Sequence, residues 1–343
     1  MKNHVYIGMS GGVASSAAAY LLKKQGYDVT GFTFKLWEKK DDTDINDAKA
    51  VCEKLEIPHI TVDLKEKFKE TVLKNFYDEY QAGRTPNPCV VCNKNIKFGA
   101  MLDYIKDKAD YIATGHYANV NFKNGRYYFS QASDIKKDQT YMLYTLNQEQ
   151  ISKILMPLGG YSKSEIRRIA EEAGLITAHK SDSQDICFLE GVGLTDFIRK
   201  NNPSLLKKGE ITDENGKLLG HHEGICCYTV GQRRGLGVSS DKKIYVTKID
   251  AENNRVVLDE EKYILSDTLI AENVNFQPIE FPKEEIYVQA KIRYAARPAE
   301  AVVMPLENGC VRVKFSEPQR AITKGQSVVF YDGNVLVGGG IIK

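Results

Sequence analysis

The stretch YIGMSGGVASSAAAYLLKKQGYDV, residues 6–29, decides the fold. An apolar strand enters a Ser-Gly-Gly turn, and small residues then open a helix in which Val13, Ala17, Tyr20 and Leu21 keep a helical period. Gly26 is placed to end that helix. Strand, glycine turn and helix in this order make an anion site, because free N–H groups and the helix dipole face whatever binds there. GMSGGVASS matches neither GxGxxG nor GxxxxGK[ST]. Tight packing of a helix on a sheet through small residues accounts for the same letters equally well.

The pattern continues downstream. YDVTGFTFKL reads as a strand, INDAKAVCEKLEI as a helix, and HITVDL, with Ile60, Val62 and Leu64 alternating, as a third strand. A helical stretch through KEKFKETVLKNFYDEY and a strand at DYIATGH follow. Such alternation predicts an α/β fold with a doubly wound parallel sheet. FKNGRYYF is a hairpin with Asn124-Gly125 at its turn. Helical text returns from about Tyr141 to Leu175, and SKSEIRRIAEEAGL is a capped amphipathic helix closed at Gly174. From about Lys207 strands dominate. IYVQAKIRY, CVRVKF and SVVFYDG, with turns at Asn308-Gly309 and Asp332-Gly333, predict a small antiparallel β-barrel.

The 343 residues are enough for two or three cores. Lys plus Arg number 47 against 45 Asp plus Glu, so net charge exerts no global pull on nucleic acid, and an RNA partner must be met by local basic patches. No apolar run is long enough to span a bilayer, and no signal-peptide pattern precedes the first glycines, so a cytoplasmic location is expected. Seven cysteines, an odd number, argue against a disulfide framework and for catalytic or metal-bound thiols.

In RTPNPCVVCNKNIKFGAMLDYI, residues 84–105, two prolines hold the chain extended before Cys89 and Cys92. A helix with Phe98, Met101, Leu102 and Ile105 facing inward is expected to follow them. A cysteine near a helix N-terminus, beside Lys94 and Lys97, is expected to have a lowered pKa. Half of a structural zinc site is the alternative, but no second CxxC or Hx3–5H partner exists. Cys187 in SDSQDICFLEG could by itself be an inert buried thiol. ATGHYANV places Gly115 and His116 at the end of a strand, the edge where parallel sheets bind ligands. GHHEGICCYTVGQRRGLGV carries His221, His222, Glu223, Cys226 and Cys227, yet adjacent strand side chains point apart, which disfavours a metal site. GQRRGLG, KIRYAARP and SEPQRAITKGQ offer Arg, Tyr and Gln suited to phosphate contacts and base stacking, against a solvated-surface reading of each patch alone.

Together GMSGGVASS, PNPCVVCNKNIKF, TGHYA, KKDQTYML, SQDICF, YTVGQRRGLGV, IRYAARP and PQRAITKGQSVVFYDGNVLVGGGII resemble, in order and over essentially the whole chain, the MnmA-type tRNA-specific 2-thiouridylases. The resemblance implies an ATP-pyrophosphatase-type adenylation domain over residues 1–200, a small central α+β domain over 201–268 and a tRNA-binding C-terminal β-barrel over 269–343. It implies that ATP and sulfur convert the wobble uridine of certain tRNAs to 2-thiouridine. Gly8, Met9, Ser10, Gly11, Gly12, Val13, Ala14 and Ser15 would then hold ATP with magnesium, and Phe34 and Gly115 would line the nucleotide site. Cys187 would carry a persulfide, and Cys92 would release its sulfur or form a disulfide with it. Asn87, Pro88 and Cys89 would meet the target base. His116, Lys137, Asp138, Gln139, Arg293, Tyr294 and Gln326 would meet tRNA. The sulfur would come from a donor protein or from sulfide.

Two letters depart from the family pattern. Its phosphate loop reads SGGxDS, and the Asp position is Ala14 here, which predicts slowed adenylation on a backbone cradle that still binds nucleotide. Cys89 stands where many relatives have Asp, and with Cys92 and Cys187 it offers three thiolates for a [4Fe–4S] cluster, as an alternative to a persulfide relay. Two further readings compete: an amide-forming ATP pyrophosphatase, which would not need both Cys92 and Cys187, and a tRNA- and ATP-binding protein inactive because of Ala14.

Overall fold

The computed structural model describes residues 3–38, 41–181, 186–189 and 191–343. Its first sheet is built from β1 (His4–Gly8), β2 (Asp28–Lys35), β3 (His59–Asp63), β4 (Tyr111–Ala113) and β7 (Ile154–Leu155), in the order β3-β2-β1-β4-β7. Every pairing in it is parallel. Alternation along the strands sends side chains to both faces. Val5, Ile7 and Val29 pack with α1 (Val13–Lys24), α2 (Thr43–Lys54) and α8 (Lys163–Glu172). Tyr6, Phe32 and Ile112 face the other way, against Phe98, Met101 and Ile105. Covered on both faces, the sheet is doubly wound, as the alternation predicts.

Between the third and fourth strands the chain is helical through α3 (Lys65–Phe68), a π-wound turn Lys69–Leu73 and α4 (Lys74–Gln81). It then resumes as α5 (Pro88–Cys92), a π-wound segment Asn93–Ala100 and α6 (Met101–Ile105). Here the structure departs from the sequence reading. Cys89 and Cys92 do not precede the helix but lie within its first five residues, because Pro88 occupies the first helical position and the Asn87 side chain accepts from Val90 N. The region from Tyr141 to Leu175 is also less helical than expected. It holds α7 (Gln148–Ser152) and α8, and Ile154–Leu155 goes into the sheet as an edge strand. The cap of α8 is as read: Ser162 and Glu165 form a reciprocal capping box, and Gly174 takes φ +64° beyond the last turn.

After α9 (Leu194–Asn201), a second sheet joins β8 (Gly209–Thr212), β9 (Leu218–His222), β10 (Tyr245–Asp250) and β11 (Arg255–Asp259) in the order β10-β11-β8-β9. The last strands are β12 (Leu265–Phe276), β13 (Ile286–Lys291), β14 (Ala299–Pro305), β15 (Val311–Arg320), β16 (Ser327–Asp332) and β17 (Val335–Ile342). They run antiparallel in the ring β12-β15-β14-β13-β16-β17, closed by pairing of β17 with β12. The hairpin of β5 (Asn119–Lys123) and β6 (Arg126–Ser130) is added to this ring through Val335 opposite Ser130. A segment from the first 130 residues thus completes a sheet built by the last 80, a pairing that no local pattern announces. No helix among the described residues is long and apolar enough to cross a membrane.

Gln277, fully buried, joins these pieces. Its Oε1 accepts from Phe129 N at 3.1 Å and its Nε2 donates to Leu143 O at 3.0 Å. Its carbonyl accepts from Arg126 Nε and Gln148 Nε2 at 2.9 and 3.0 Å. Removing the amide strands two buried backbone groups at about 1–3 kcal/mol each. We expect Gln277→Leu to lower stability by about 2–4 kcal/mol in urea unfolding; an unchanged midpoint contradicts this account of the joint.

Candidate active site

In the order β3-β2-β1-β4, the chain leaves β1 toward one side and returns to β4 on the other. This is the switch point at which open α/β sheets bind ligands, beyond the carboxyl ends of the strands. The Gly8–Ser15 turn and the Thr114–His116 segment meet there. A β carbon on Gly115 would lie 2.7 Å from Ser15 N and 2.8 Å from the Ala14 carbonyl carbon, so only glycine admits this approach. Gly11 has φ +68°, and a β carbon on it would overlap the Asp44 carbonyl of α2. The turn is also held from within. Ser10 N donates to Ser15 Oγ at 3.2 Å, while Ser15 and Ser16 hydroxyls donate to Gly12 O at 3.1 and 2.9 Å. Met9 N donates to Phe32 O at 2.8 Å, fixing the turn to β2. Gly12 caps α1 without a side chain, and the first turn of α1 contains no acid. Its N–H groups are therefore left for an external anion, as the fold of a phosphate cradle requires.

Val13 is buried, and Ala14 packs against the core on the α1 side of the sheet. Ala14 offers no oxygen to a cation. Asp44 and Asp47 lie beside the turn, but both are paired with Lys180 Nζ, at 2.7 and 2.8 Å. The described residues at the turn thus supply no unpaired carboxylate for magnesium. Lys180 was not visible as a site residue in the sequence, because its partners lie more than 130 positions away.

Phe34, half-buried with its ring 5.0 Å from that of Phe32, points into the cluster containing Phe68, Phe76, Cys92 and Phe188. Phe34 thus lies between the sheet edge and the thiol-bearing helix. Cys92 is buried and Cys89 exposed. Burial raises the thiol pKa of Cys92 to about 12, and desolvation by the protein packed around its thiol raises that of Cys89 although the residue reaches the surface, with Lys97 opposing both shifts and Cys187 adding to them. The expectation of a lowered pKa is corrected here: desolvation outweighs the short helix turn and its lysine. Cys92 packs in one cluster with Phe188, the neighbour of Cys187, so the fold brings the Cys89–Cys92 turn and Cys187 into one neighbourhood.

Cys187 is exposed beside Phe188, whose ring lies 5.1 Å from Phe76 and 5.2 Å from Phe197. Asp182, Ser183, Gln184 and Asp185 of the SDSQDICF stretch lie outside the described residues. Among the described residues no group of three His, Cys, Asp or Glu side chains is arranged to hold a metal ion. Cys89, Cys92 and Cys187 thus make no ready-formed ligand set among the described residues, and neither do His221, His222, Cys226 and Cys227. His222 instead is buried, its Nε2 3.1 Å from Asn254 O.

The residues expected to meet tRNA fall into two groups. Gln326 Nε2 donates to Thr85 O and Pro86 O at 3.1 and 3.2 Å, placing the barrel directly behind Asn87, Pro88 and Cys89. Tyr294, 42% exposed, donates its hydroxyl to Asp138 O at 3.1 Å, which joins Arg293 and Tyr294 to the Lys137–Gln139 turn. Arg293 Nη1 donates to Arg320 O at 3.1 Å. Gln139 is held by Tyr117 N, which donates to its Oε1 at 3.0 Å. Asp138 is buried, accepting from Ala132 N and Thr140 Oγ1, and burial raises its pKa. His116 is buried too, 2.7 Å from Thr114 Oγ1, and desolvation holds its pKa well below the usual value, so it is neutral at pH 7. Sequence reasoning missed Lys291, whose ammonium lies 5.8 and 5.6 Å from the Tyr141 and Tyr294 ring centres. The signal was the KIRY run itself, in which Lys291 closes β13 beside Arg293.

Three family models match the chain: a tRNA methyl transferase HUP domain over residues 3–191, a tRNA methyl transferase PRC-barrel domain over 195–259 and an aminomethyltransferase β-barrel domain over 266–342. The tRNA-specific 2-thiouridylase MnmA of Clostridium beijerinckii is 48% identical over all of this chain and 99% of its own length. The tRNA-specific 2-thiouridylase MnmA 1 of Clostridium tetani is 52% identical over all of this chain and 97% of its own length. Among solved structures, a 4-thiouridine synthetase in complex with RNA and ATP is 17% identical, with a TM-score of 0.40, covering 54% of this chain and 45% of that one. With identity near one half over the full length of both chains, the chain belongs to the tRNA-specific 2-thiouridylase family.

Proposed function

We propose that this chain uses ATP to convert the wobble uridine of tRNA to 2-thiouridine. The observation that carries the reading is the placement of a cysteine-bearing helix against the sheet edge that holds the phosphate-loop turn, with the barrel joined to that helix through Gln326. Oxygen on a pyrimidine C2 is a poor leaving group. Attack of that oxygen on the α-phosphate of ATP expels pyrophosphate and makes AMP the group that later departs. The cradle at Gly8–Ser15 holds the phosphates, magnesium arrives with them, and Phe34 and Gly115 bound the nucleotide. A uridine must leave the anticodon stack to reach this crevice, and Asn87, Pro88 and Cys89 are the surface on which it lands.

Sulfur follows as a persulfide on Cys187, loaded by a donor protein or from sulfide in the presence of an oxidant. Its terminal sulfur attacks C2, and AMP leaves with the former C2 oxygen. The Cys92 thiolate then attacks Cys187 Sγ, the bond to the transferred sulfur breaks, and the products are 2-thiouridine and a Cys92–Cys187 disulfide. A two-electron thiol reductant resets the pair. The arrangement of Cys89, Cys92 and Cys187 supports this relay over a cluster-borne sulfide. The reaction belongs in the cytoplasm, where tRNA and thiol reductants are found, and the domain limits near residues 200 and 268 are retained as part of the reading.

Nucleoside mass spectrometry of tRNA incubated anaerobically with the protein, ATP, magnesium, a persulfide donor and a thiol reductant is expected to show 2-thiouridine. Cys92→Ser and Cys187→Ser each reduce it to background; product from both variants would overturn the relay. Ala14→Asp is expected to raise the rate by roughly 10- to 100-fold by supplying a carboxylate that would hold the magnesium on the phosphates, and an unchanged rate would contradict the role given to position 14. Because Cys92 is protonated at neutral pH, the step it performs is expected to accelerate by about tenfold per pH unit between pH 7 and 9. A flat single-turnover profile over that range would show that its ionisation does not limit disulfide formation.

A further inference from the structure

The loop between the one-turn helix Ile225–Cys227 and β10 is not used by the chemistry above. It borders a shallow concavity of about 700 Å³ lined by Arg233, Val238, Asp241, Lys242 and Lys243 among others. The loop is built, not slack. Leu236 is buried in the core of the second sheet with Tyr228, Val246 and Leu258, and Val238 packs on the same core. Gly235 and Gly237 flank Leu236 at φ +68° and +71°, reversing the chain on each side of this anchor. At its root Gly231 N donates to Val246 O at 2.8 Å, and the Gln232 side chain bridges Thr229 N and Arg234 O. With the apolar residues turned in, Arg233, Arg234 and Lys243 are turned out and exposed. Lys242 pairs with Glu260 at 3.1 Å, whereas among the described residues no carboxylate pairs with Arg233, Arg234 or Lys243.

The loop is joined to the barrel. Gly231 abuts Ala321, and the Arg320 guanidinium, paired with Glu261 at 2.8 Å, lies 4.8 Å from the centre of the Tyr245 ring, where the loop ends. The Arg320 carbonyl is the group to which Arg293 donates. Arg233, Arg234 and Lys243, with no paired carboxylate among the described residues, leave the loop net basic despite the exposed Asp241 and match a row of phosphodiesters. Guanidinium groups prefer such planar oxyanions, and backbone contacts fix register without reading sequence.

We propose that the Arg233–Lys243 loop is a second RNA-binding surface that grips the sugar–phosphate backbone of the tRNA. The proposal rests on the thiouridylase reading. It assigns the loop to docking, with the base itself handled at Asn87–Cys92. Binding there releases counterions, so its signature is in the salt dependence.

The test is tRNA binding by fluorescence anisotropy between 50 and 300 mM KCl, for the unmodified protein, Arg233→Ala/Arg234→Ala and Arg233→Lys/Arg234→Lys. We expect the alanine pair to weaken binding roughly tenfold at the lowest salt and to flatten the slope of log K against log[KCl] by about 0.7–0.9 per lost contact. The lysine pair keeps the slope, which shows that the effect is charge and not a damaged fold. Equal affinity and slope for the alanine pair overturn the proposal. So does a defect confined to assays in which a donor protein delivers sulfur, with tRNA binding intact, because the face then serves an acidic protein. If the unmodified protein binds no tRNA at any salt, the thiouridylase reading falls together with this one. If it binds and thiolates tRNA while the variant's slope is unchanged, only this one falls.

Discussion

Everything in this molecule is arranged around the contact of Gly115 with the backbone joining Ala14 to Ser15. Two strand ends that diverge in the topology are pressed together there, and the only side chain small enough for the purpose is a hydrogen. The contact fixes the angle at which α1 leaves the sheet, and with it the direction of the N–H groups at the helix start. Because Gly11 is seated equally closely on Asp44, the turn is gripped from the α2 side as well. A β carbon at either place would change the shape of the cradle before it changed its charge. Ala14 is a different kind of departure: it leaves the backbone cradle in place and removes only a carboxylate.

The sulfur side of the site obeys an opposite constraint. Cys92 is in a desolvated aromatic pocket, which excludes water from a reactive thiol and also keeps it protonated. Cys187 remains at the surface, where a donor can reach it. In the proposed relay the exposed thiol is the one loaded and the buried one releases the sulfur. Lys97, which opposes the shift at both Cys89 and Cys92, is the charge that makes ionisation of the buried thiol affordable to the fold.

The alternation of Ile60, Val62 and Leu64, the Asn124-Gly125 turn and the Ser162–Glu165 box could be read directly, because each is a local signal with a local consequence. The closed barrel was legible from its turns. What escaped was set by distance along the chain. The β5–β6 hairpin meets β17 in register at one pair, Ser130 and Val335, far apart in the chain, and the pairing of Lys180 with α2 spans most of the first domain. The start of α5 was a different miss: Asn87 followed by Pro88 is a cap signal, obscured by reading both prolines as extended chain. The direction of the Cys92 shift could not be read at all, since burial belongs to the packed cluster and not to the motif. The family resemblance named the thiols, but only the fold shows which is buried.

The central claim is that one crevice first makes the C2 oxygen of uridine a leaving group and then replaces it with sulfur. Its most direct test is a tRNA anticodon arm carrying ¹⁸O at C2 of the wobble uridine, turned over once by stoichiometric protein with ATP and a persulfide donor. The account predicts that 2-thiouridine appears together with AMP that has gained the ¹⁸O atom. Formation of 2-thiouridine with unlabelled AMP would mean that the oxygen leaves by another route, and would contradict the mechanism.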